Sequence, residues 1–383
     1  MTATAEAAIP SPPAAEARVT TLELFFDLVF VFTLTQLSAV LVHELSWAGL
    51  GHVALMLGLI FYIYGGYAWL TNALDVQRGS NRALLLAGMC GYFVIALAIP
   101  EAFSSTGTTF GLGYVAVVAV HSWLFAHTEG SGARAILRLA PSNFGGAALV
   151  VAGGVIGGTA QVVLWTLGIA VSWVVPRLLG DLDFEVVPAH FVERHGLVVI
   201  VAIGESIVAI GIGAADLAVD VELIVVAVLG VLLSAALWWT YFAGDDERAV
   251  AALAAMTPAR RGRAALEGFG YAHLVLLLGI VCVAVGLKKA TGHAYDELKA
   301  GEALALAGGV ALFLAGDVWF RRVMRIGAGA DVARVAGVLA ALATIALGTE
   351  VAAVAQIAAL VAVVAAASSV PSGVPQGDTR RHA

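Results

Sequence analysis

Twelve apolar runs of about 20 residues follow one another along this 383-residue chain. Because the hydrocarbon core of a bilayer is about 30 Å thick, each run predicts a helix that crosses a membrane. Only 12% of the residues are charged, about half the share in soluble domains. We therefore predict an all-α, polytopic membrane protein of about 12 transmembrane helices. The predicted spans are residues 21–43, 47–74, 82–103, 108–128, 135–156, 159–179, 194–213, 220–243, 263–287, 302–322, 331–347 and 350–368.

The basic residues divide unevenly between the two sets of loops that these spans define. All 17 arginines fall in one set of loops, at the adjoining span ends or in the tails. The opposite set holds the three lysines, Lys288, Lys289 and Lys299. Since arginine and lysine are enriched on the cytoplasmic side of membranes, we predict that both termini are cytoplasmic. This orientation requires an even number of spans.

An internal repeat is indicated by a shift of 170 residues, which aligns four unlike residue types. The aligned pairs are Glu23 with Glu193, Trp69 with Trp239, Asp75 with Asp245, and Arg78 with Arg248. A shift of 196 residues places His121 on Asp317, once an Arg-rich loop around residues 248–263 is allowed for. We predict a parallel 6+6 duplication with halves at 19–180 and 181–368. Residues 1–18 and 369–383, rich in Pro, Ala, Gly or Ser, are predicted to be disordered tails.

The first span carries two acidic residues, Glu23 and Asp27, four positions apart on one helix face. A charged side chain within a membrane helix costs roughly 2.5–3.5 kcal/mol on insertion scales, so such residues usually face a cavity or a partner. Asp27, the deeper of the two, is a candidate for binding a proton or a solute. Glu23 and its repeat partner Glu193 lie at the membrane entry and are interpreted as orienting residues.

The seventh predicted span carries Glu205 and Ser206 about 17 Å from its predicted start, near the middle of the membrane. Gly204 and Gly211 beside them permit close helix approach. A structural hydrogen bond to a neighbouring helix and a titrating or ligand-binding role both remain open for Glu205. We keep Glu205 and Ser206 as candidate site residues.

The segment before this span contains several residue types that bind metals, namely Asp183, Glu185, His190, Glu193 and His195. Imidazole and carboxylate suit zinc or iron, but the spacing matches no compact motif. The alternative is an amphipathic loop, in which Glu193 and Arg194 anchor the helix at the interface and His195 has a structural role. We predict no metal site and no cofactor.

Other polar residues fall within or beside predicted spans. His273 in the ninth span and His121 in the fourth are candidates for proton or solute binding, although a buried neutral histidine bonded to a carbonyl would explain either. Asp317 is a further candidate, and an intrahelical ion pair with Arg321 is the alternative.

Two acidic–basic pairs lie at predicted cytoplasmic helix ends. Asp75 with Arg78, and Asp245 with Arg248, have the i,i+3 spacing of an ion pair. We interpret both pairs as structural anchors or gates.

Residues 23–32 (ELFFDLVFVF) and 193–206 (ERHGLVVIVAIGES) resemble the two signatures of the bacterial low temperature requirement protein A (LtrA) family. The likeness extends from about residue 18 to 368. It implies a multi-pass protein of the bacterial inner membrane, named for a requirement during growth in the cold. The family has no established biochemical activity, so the resemblance supplies no catalytic residues.

Buried carboxylates in both predicted halves favour a proton-linked secondary transporter of a small solute or ion, with the lipid bilayer as its surroundings. In this hypothesis Asp27 and Glu205 face a central cavity, and replacing them by amides abolishes proton-dependent flux. An ion channel is one alternative, because Phe25-Phe26-Asp27 resembles in part the Phe-Ser-Asp of duplicated six-span lysosomal potassium channels. However, the residue opposite Asp27 in the repeat is Leu197.

An intramembrane lipid-modifying enzyme that uses His190, Glu193 and His195 is another alternative. The chain contains no Walker motif, nucleophile elbow or basic nucleic-acid patch. We therefore favour a non-enzymatic role and expect no nucleic-acid partner.

Overall fold

The computed structural model describes residues 19–74, 78–128, 132–180, 184–327 and 331–369, and these residues form helices without any strand. Residues up to 180 form α1 (Thr21–His43), α2 (Trp47–Ala73), α3 (Gly79–Ala98), α4 (Gly107–Ala126), α5 (Gly132–Ile156) and α6 (Gly158–Leu178). The rest form α7 (Pro188–Gly213), α8 (Val221–Phe242), α9 (Asp245–Ala255), α10 (Pro258–Ala265), α11 (His273–Ala290), α12 (Ala300–Met324), α13 (Asp331–Ala343), α14 (Ile345–Glu350) and α15 (Ala353–Ser368). A π-helical segment, Leu266–Ala272, joins α10 to α11.

Eleven helical segments of the described chain are long and apolar enough to cross a membrane. The prediction of an all-α, polytopic membrane protein is therefore confirmed. The twelfth predicted span corresponds to α15, which is apolar but has 16 residues. At about 1.5 Å per residue it extends about 24 Å, less than the full hydrocarbon thickness.

Two segments predicted as loops are helical. α7 begins at Pro188, six residues before the predicted start of the span at 194, and proline is favoured at the first position of a helix. Residues 190–195 therefore belong to α7 and not to an interfacial loop. The Arg-rich loop around 248–263 contains α9 and most of α10. Acidic residues in the first turn favour α9, and its buried Ala249 and Leu253 pack in a small apolar core.

The same order of helix neighbours occurs twice along the chain. α1 packs on α2 and α3, as α7 packs on α8 and α11. α3 packs on α4 and α4 on α5, as α11 packs on α12 and α12 on α13. α6 packs on α5 and α2, as α15 packs on α13 and α8.

The two sets of helices meet through four central elements. α1 packs on α7 and α11, and α2 also packs on both. α11 is almost wholly buried and lies against α12 at a glycine pair, since a Cβ on Gly279 would stand 2.6 Å from the carbonyl oxygen of Gly309. Small residues of this kind let membrane helices approach closely. The side chains of α1 and α7 therefore face each other at the centre of the molecule.

Candidate functional site

The start of α1 is fixed by a capping box that also positions Glu23. The Thr20 side chain accepts from the backbone N–H of Glu23, and the backbone N–H of Thr20 donates to Glu23 Oε2 at 2.8 Å. The second carboxylate oxygen, Oε1, lies 3.0 Å from Nε2 of His190 on α7. Glu23 is thus held by its own helix and by the facing one.

One turn further along α1, Asp27 makes a buried ion pair with α7. Arg194 Nη1 donates to Asp27 Oδ2 at 3.0 Å, and Arg194 Nε lies 4.0 Å from Glu23 Oε1. Tyr64 of α2 donates its hydroxyl proton to Asp27 Oδ1 at 2.8 Å. The Arg194 side chain is 1% exposed. Removing such a charge from water is costly unless it is paired and hydrogen-bonded, and here both conditions are met.

We call Glu23, Asp27, His190 and Arg194 the entry cluster. It contains two carboxylates, one guanidinium and one imidazole, and all four residues are buried. With a protonated His190 the four side chains are electrically neutral; with a neutral His190 they carry one negative charge. The cluster joins α1 to α7 and therefore connects the two sets of helices.

Glu205 has a different environment from Asp27. It lies about 12 Å before the end of α7 and is 2% exposed. Its carboxylate accepts hydrogen bonds from two hydroxyls of α1, Thr35 Oγ1 at 2.5 Å and Ser38 Oγ at 2.6 Å. Among the described residues it makes no ion pair, and Lys288 of α11 acts on it only at longer range. Glu205 is therefore a buried carboxylate held by neutral donors.

A second set of buried charges, the Asp317 cluster, consists of Asp245, Asp317, Arg321, Asp331 and Arg334. Arg334 of α13 lies 2.5 Å from Asp317 of α12. Arg321 of α12 donates to Asp245 at the start of α9, and its Nε lies 3.5 Å from Asp331 at the start of α13. The alternative weighed for Asp317, an ion pair with Arg321 on its own helix, is replaced in the structure by these pairs with other helices. The three acidic and two basic side chains fasten α9, α12 and α13 together.

A cavity of about 150 Å³ lies between the two sets of helices. Helices α2, α4, α5 and α6 line one part of it, and α7, α10 and the π-helical segment line the other. Aromatic side chains of the first part include Phe61, Tyr62, Trp69, Phe125, Trp173 and Phe184. His121 of α4 also lines the cavity, is 8% exposed, and packs on α2, where a Cβ on Gly66 would stand 3.1 Å from its Nε2.

His195 and His273 form a buried aromatic group beside this cavity. His273 Nδ1 lies 2.7 Å from the carbonyl oxygen of Gly268 in the π-helical segment, and its Nε2 lies 2.8 Å from the hydroxyl of Tyr241. The ring centroids of His195 and His273 are 5.8 Å apart, and His195 Nδ1 lies 2.9 Å from the carbonyl oxygen of Phe191. His195 therefore has a carbonyl partner in its own helix, and His273 has one in the π-helical segment that precedes α11.

The four predicted intramembrane candidates lie in separate environments. Asp27 belongs to the entry cluster, Glu205 lies against Thr35 and Ser38, and Asp317 belongs to its own cluster. Of the four, only His121 is among the residues that line the cavity. Ser206, next to Glu205, is fully buried, and the described residues offer its hydroxyl no hydrogen-bond partner.

The remaining predicted residues have simpler placements. Glu193 is on the exposed face of α7, and its Oε2 accepts a hydrogen bond from the backbone N–H of Val19, with 3.3 Å between nitrogen and oxygen. Arg248 donates to Asp245 at 2.8 Å, as the i,i+3 spacing predicts. Arg78 is exposed, and Asp75 and Asp183 lie outside the described residues. Across the described ranges, no group of three or more His, Cys, Asp and Glu side chains is placed to hold a metal ion.

Several partners of the candidate residues were not found from the sequence. Tyr64, Ser38 and Arg334 carry no motif and reach their partners only through helix packing. Thr35 did have a signal, because the 170-residue shift places it on Glu205, its partner in the structure. The two positions face each other across the contact between α1 and α7.

The chain is similar to known proteins over nearly its whole described length. The profile described as bacterial low temperature requirement A protein (LtrA) matches residues 18–369, which include the entry cluster, Glu205 and the Asp317 cluster. The chain belongs to the LtrA family. Both of its signature segments, residues 23–32 and 193–206, thus lie on the two helices that face each other at the centre, α1 and α7.

One curated relative shares much of this LtrA-family chain. It is the uncharacterized protein RA0937 of Rhizobium meliloti (strain 1021), which is 32% identical over 318 residues. The aligned region covers 79% of this chain and 76% of the relative. No solved structure gives a significant match. The comparisons therefore identify the LtrA family and leave its activity to be inferred from the site.

Proposed function

We propose that this LtrA-family protein is a proton-linked secondary transporter of a small solute, and that Glu205 binds the transported proton. The environment of Glu205 carries this proposal. Its carboxylate is buried in an apolar span and held by the hydroxyls of Thr35 and Ser38, without an ion pair among the described residues. Ionisable residues in such positions mark ion and proton pathways in membrane proteins.

Asp27 is less suited to reversible protonation, because Arg194 and Tyr64 hold its charged form. Protonating Asp27 would leave a buried guanidinium without its closest partner, which is costly. Protonating Glu205 leaves no such uncompensated cation within ion-pair distance. We therefore assign the proton to Glu205 and a gating role to the Asp27–Arg194 pair.

The arrangement of the helices supports a duplicated transporter architecture. The repeated order of helix neighbours favours a 6+6 parallel duplication, with α15 as a short twelfth crossing helix. The distribution of arginine and lysine favours cytoplasmic termini in a bacterial inner membrane. In this orientation both ion clusters lie toward the cytoplasmic side, because they occur where α1, α7 and α13 begin and where α12 ends. Glu205 lies nearer the opposite side.

A gate at the entry cluster would act between the two halves, because Asp27 belongs to α1 and Arg194 to α7. In many duplicated transporters, one repeat moves against the other around a central site. The Asp317 cluster, in contrast, joins α9, α12 and α13 of the second half. It would keep that half rigid while the entry cluster opens and closes.

Proteoliposomes that contain the pH-sensitive dye pyranine can test this function. Solutes from distinct classes, including carboxylates, amines, amino acids, sugars and alkali salts, are added outside, and the internal pH is followed. We expect one class to evoke saturable proton movement in the wild type and not in Glu205→Gln. Glu247→Gln, on the exposed face of α9, is the matched control and keeps the activity. Absence of evoked proton movement for every class, or full activity of Glu205→Gln, contradicts the proposal.

A further inference from the structure

The cavity between the two sets of helices has the features of a ligand site. Ligand pockets are mostly apolar and contain a few polar groups at defined positions. Phe191 of α7 and Phe269 of the π-helical segment add to the aromatic wall contributed by α2, α4 and α6. A volume of about 150 Å³ is close to that of an engineered cavity that binds benzene. The space therefore fits a body the size of one aromatic ring.

The position of the cavity also fits a transported solute. Its walls come from both predicted halves, and solute sites of duplicated transporters lie at the interface between repeats. Part of the wall, Leu266, Glu267, Phe269 and Gly270, belongs to the π-helical segment. π-Bulges within helices occur frequently at functional sites.

The charged side chains that line the cavity indicate the charge of its ligand. Arg177 Nη1 lies 2.6 Å from Glu267 Oε1, so these two side chains neutralise each other. Arg263 also lines the cavity, is exposed, and has no ion pair or hydrogen bond in the described part of the chain. Among the described lining residues, Arg263 therefore supplies one positive charge without an ion-pair partner. The planar guanidinium group of Arg263 is suited to binding a carboxylate.

A second polar side chain, His121 of α4, belongs to a different wall. It is more than nine-tenths buried, and a Cβ on Gly66 of α2 would stand 3.1 Å from its Nε2. This nitrogen is sealed from the cavity space by the contact with α2. His121 therefore packs behind the wall, and Arg263 is the polar group available to a ligand.

From these observations we propose that the cavity binds a small aromatic carboxylate, with its carboxylate at Arg263 and its ring against the aromatic wall. This inference names the solute class of the proposed transporter and rests on that proposed function for its role in transport. The binding site itself is defined by the cavity and can be tested without any flux measurement.

Binding to the full-length protein in lipid nanodiscs can be measured by isothermal titration calorimetry. The probes are 4-hydroxybenzoate, benzoate, benzyl alcohol and benzylamine, which share one ring and differ in charge or hydroxyl group. We expect saturable binding of 4-hydroxybenzoate and of benzoate, and little binding of the neutral and cationic probes. No binding of either carboxylate, or equal binding of all four probes, overturns the proposal.

Variants of the cavity then locate the bound molecule. Gly65 lines the cavity, and no atom lies within 4 Å of the position of a Cβ there, so a longer side chain has room to enter the space. We expect Gly65→Leu to abolish binding and Gly65→Ala to preserve it. Both variants should elute as folded protein, which separates blocked binding from misfolding. Binding to Gly65→Leu equal to that of the wild type overturns the site.

The contact at Arg263 has a matched test of its own. Arg263→Gln is expected to weaken carboxylate binding by about tenfold, since a charge-assisted contact is lost. Arg260→Gln, three residues away and outside the cavity lining, should change it less than about twofold. Equal effects of Arg263→Gln and Arg260→Gln overturn the assigned contact.

The binding and proteoliposome measurements together test the ligand assignment and the transport proposal separately. Carboxylate binding that Gly65→Leu abolishes, without proton movement in proteoliposomes, supports the site and refutes the transporter. Proton movement evoked by another solute class, without carboxylate binding, supports the transporter and refutes this ligand.

Discussion

Arg194 of α7 lies 3.0 Å from Asp27 of α1, and this buried pair links two helices that are 167 residues apart in the chain. Asp27 and Arg194 each lie in one of the two signature segments of the LtrA family. The pair therefore gives the two signatures a common physical role, which is to hold α1 against α7. Glu205 faces α1 further along the same contact.

Breaking this pair is expected to destabilise the protein. Asp27→Asn and Arg194→Gln each leave one buried charge without its closest partner, at a cost of about 3–5 kcal/mol. The double variant removes both charges and is expected to be more stable than the sum of the single effects predicts. Thermal unfolding in detergent measures the coupling in a double-mutant cycle. Strictly additive effects would mean that the two residues do not interact.

Two adjacent arginines provide a test of the Asp317 cluster. The side chain of Arg321 is 0% exposed and bonded to Asp245, whereas that of Arg322 is 63% exposed and lies 3.4 Å from Asp331. We expect Arg321→Gln to cost about 3–5 kcal/mol of unfolding free energy and Arg322→Gln about 0–1 kcal/mol. Denaturant unfolding of both variants compares the two costs. Equal losses would contradict the assignment of Arg321 to a buried cluster.

The contact between α11 and α12 is expected to tolerate no side chain at Gly279. A Cβ there would stand 2.6 Å from a backbone atom of α12, so Gly279→Ala should cost about 1–3 kcal/mol. A Cβ on Gly211 of α7 would have no atom within 4 Å, so Gly211→Ala should be neutral or slightly stabilising. The midpoints of thermal unfolding distinguish the two variants. A stable Gly279→Ala would show that the helices are further apart.

The proposed orientation predicts which loops can be labelled from outside the cell. In a variant without Cys90 and Cys282, a cysteine at Tyr295 should react with a membrane-impermeant maleimide in intact cells. Tyr295 is exposed in the loop between α11 and α12, next to the lysines. A cysteine at Arg260 should react only after the membrane is opened. The reverse pattern would place the termini outside the cytoplasm.

The helical class was predictable because it depends on local hydrophobicity. Runs of about 20 apolar residues identify spans without any knowledge of their neighbours. The start of α7 was less predictable, because charged residues from His190 to His195 indicate a loop unless their partners on α1 are known. Glu23 and Asp27 supply those partners, and they lie far away in the sequence.

The candidate site was predictable in its residues and not in its contacts. Asp27 and Glu205 stand out as carboxylates in apolar spans, but the sequence does not reveal that one faces an arginine and the other two hydroxyls. The i,i+4 spacing made an ion pair with Arg321 the alternative role for Asp317, whereas Arg334 from another helix binds Asp317. These differences arise from helix packing, which side-chain spacing within one helix cannot determine.

Whether Glu205 gains and loses a proton can be measured directly by difference infrared spectroscopy. Spectra of the lipid-reconstituted protein are recorded at acidic and neutral pH, and the C=O stretching band of protonated carboxyl groups is followed. Every carboxyl group that titrates in this range contributes to the band. We expect a component of the wild-type band to be missing in Glu205→Gln and retained in Glu247→Gln. A band that is the same in the wild type and in Glu205→Gln would contradict a proton-binding Glu205.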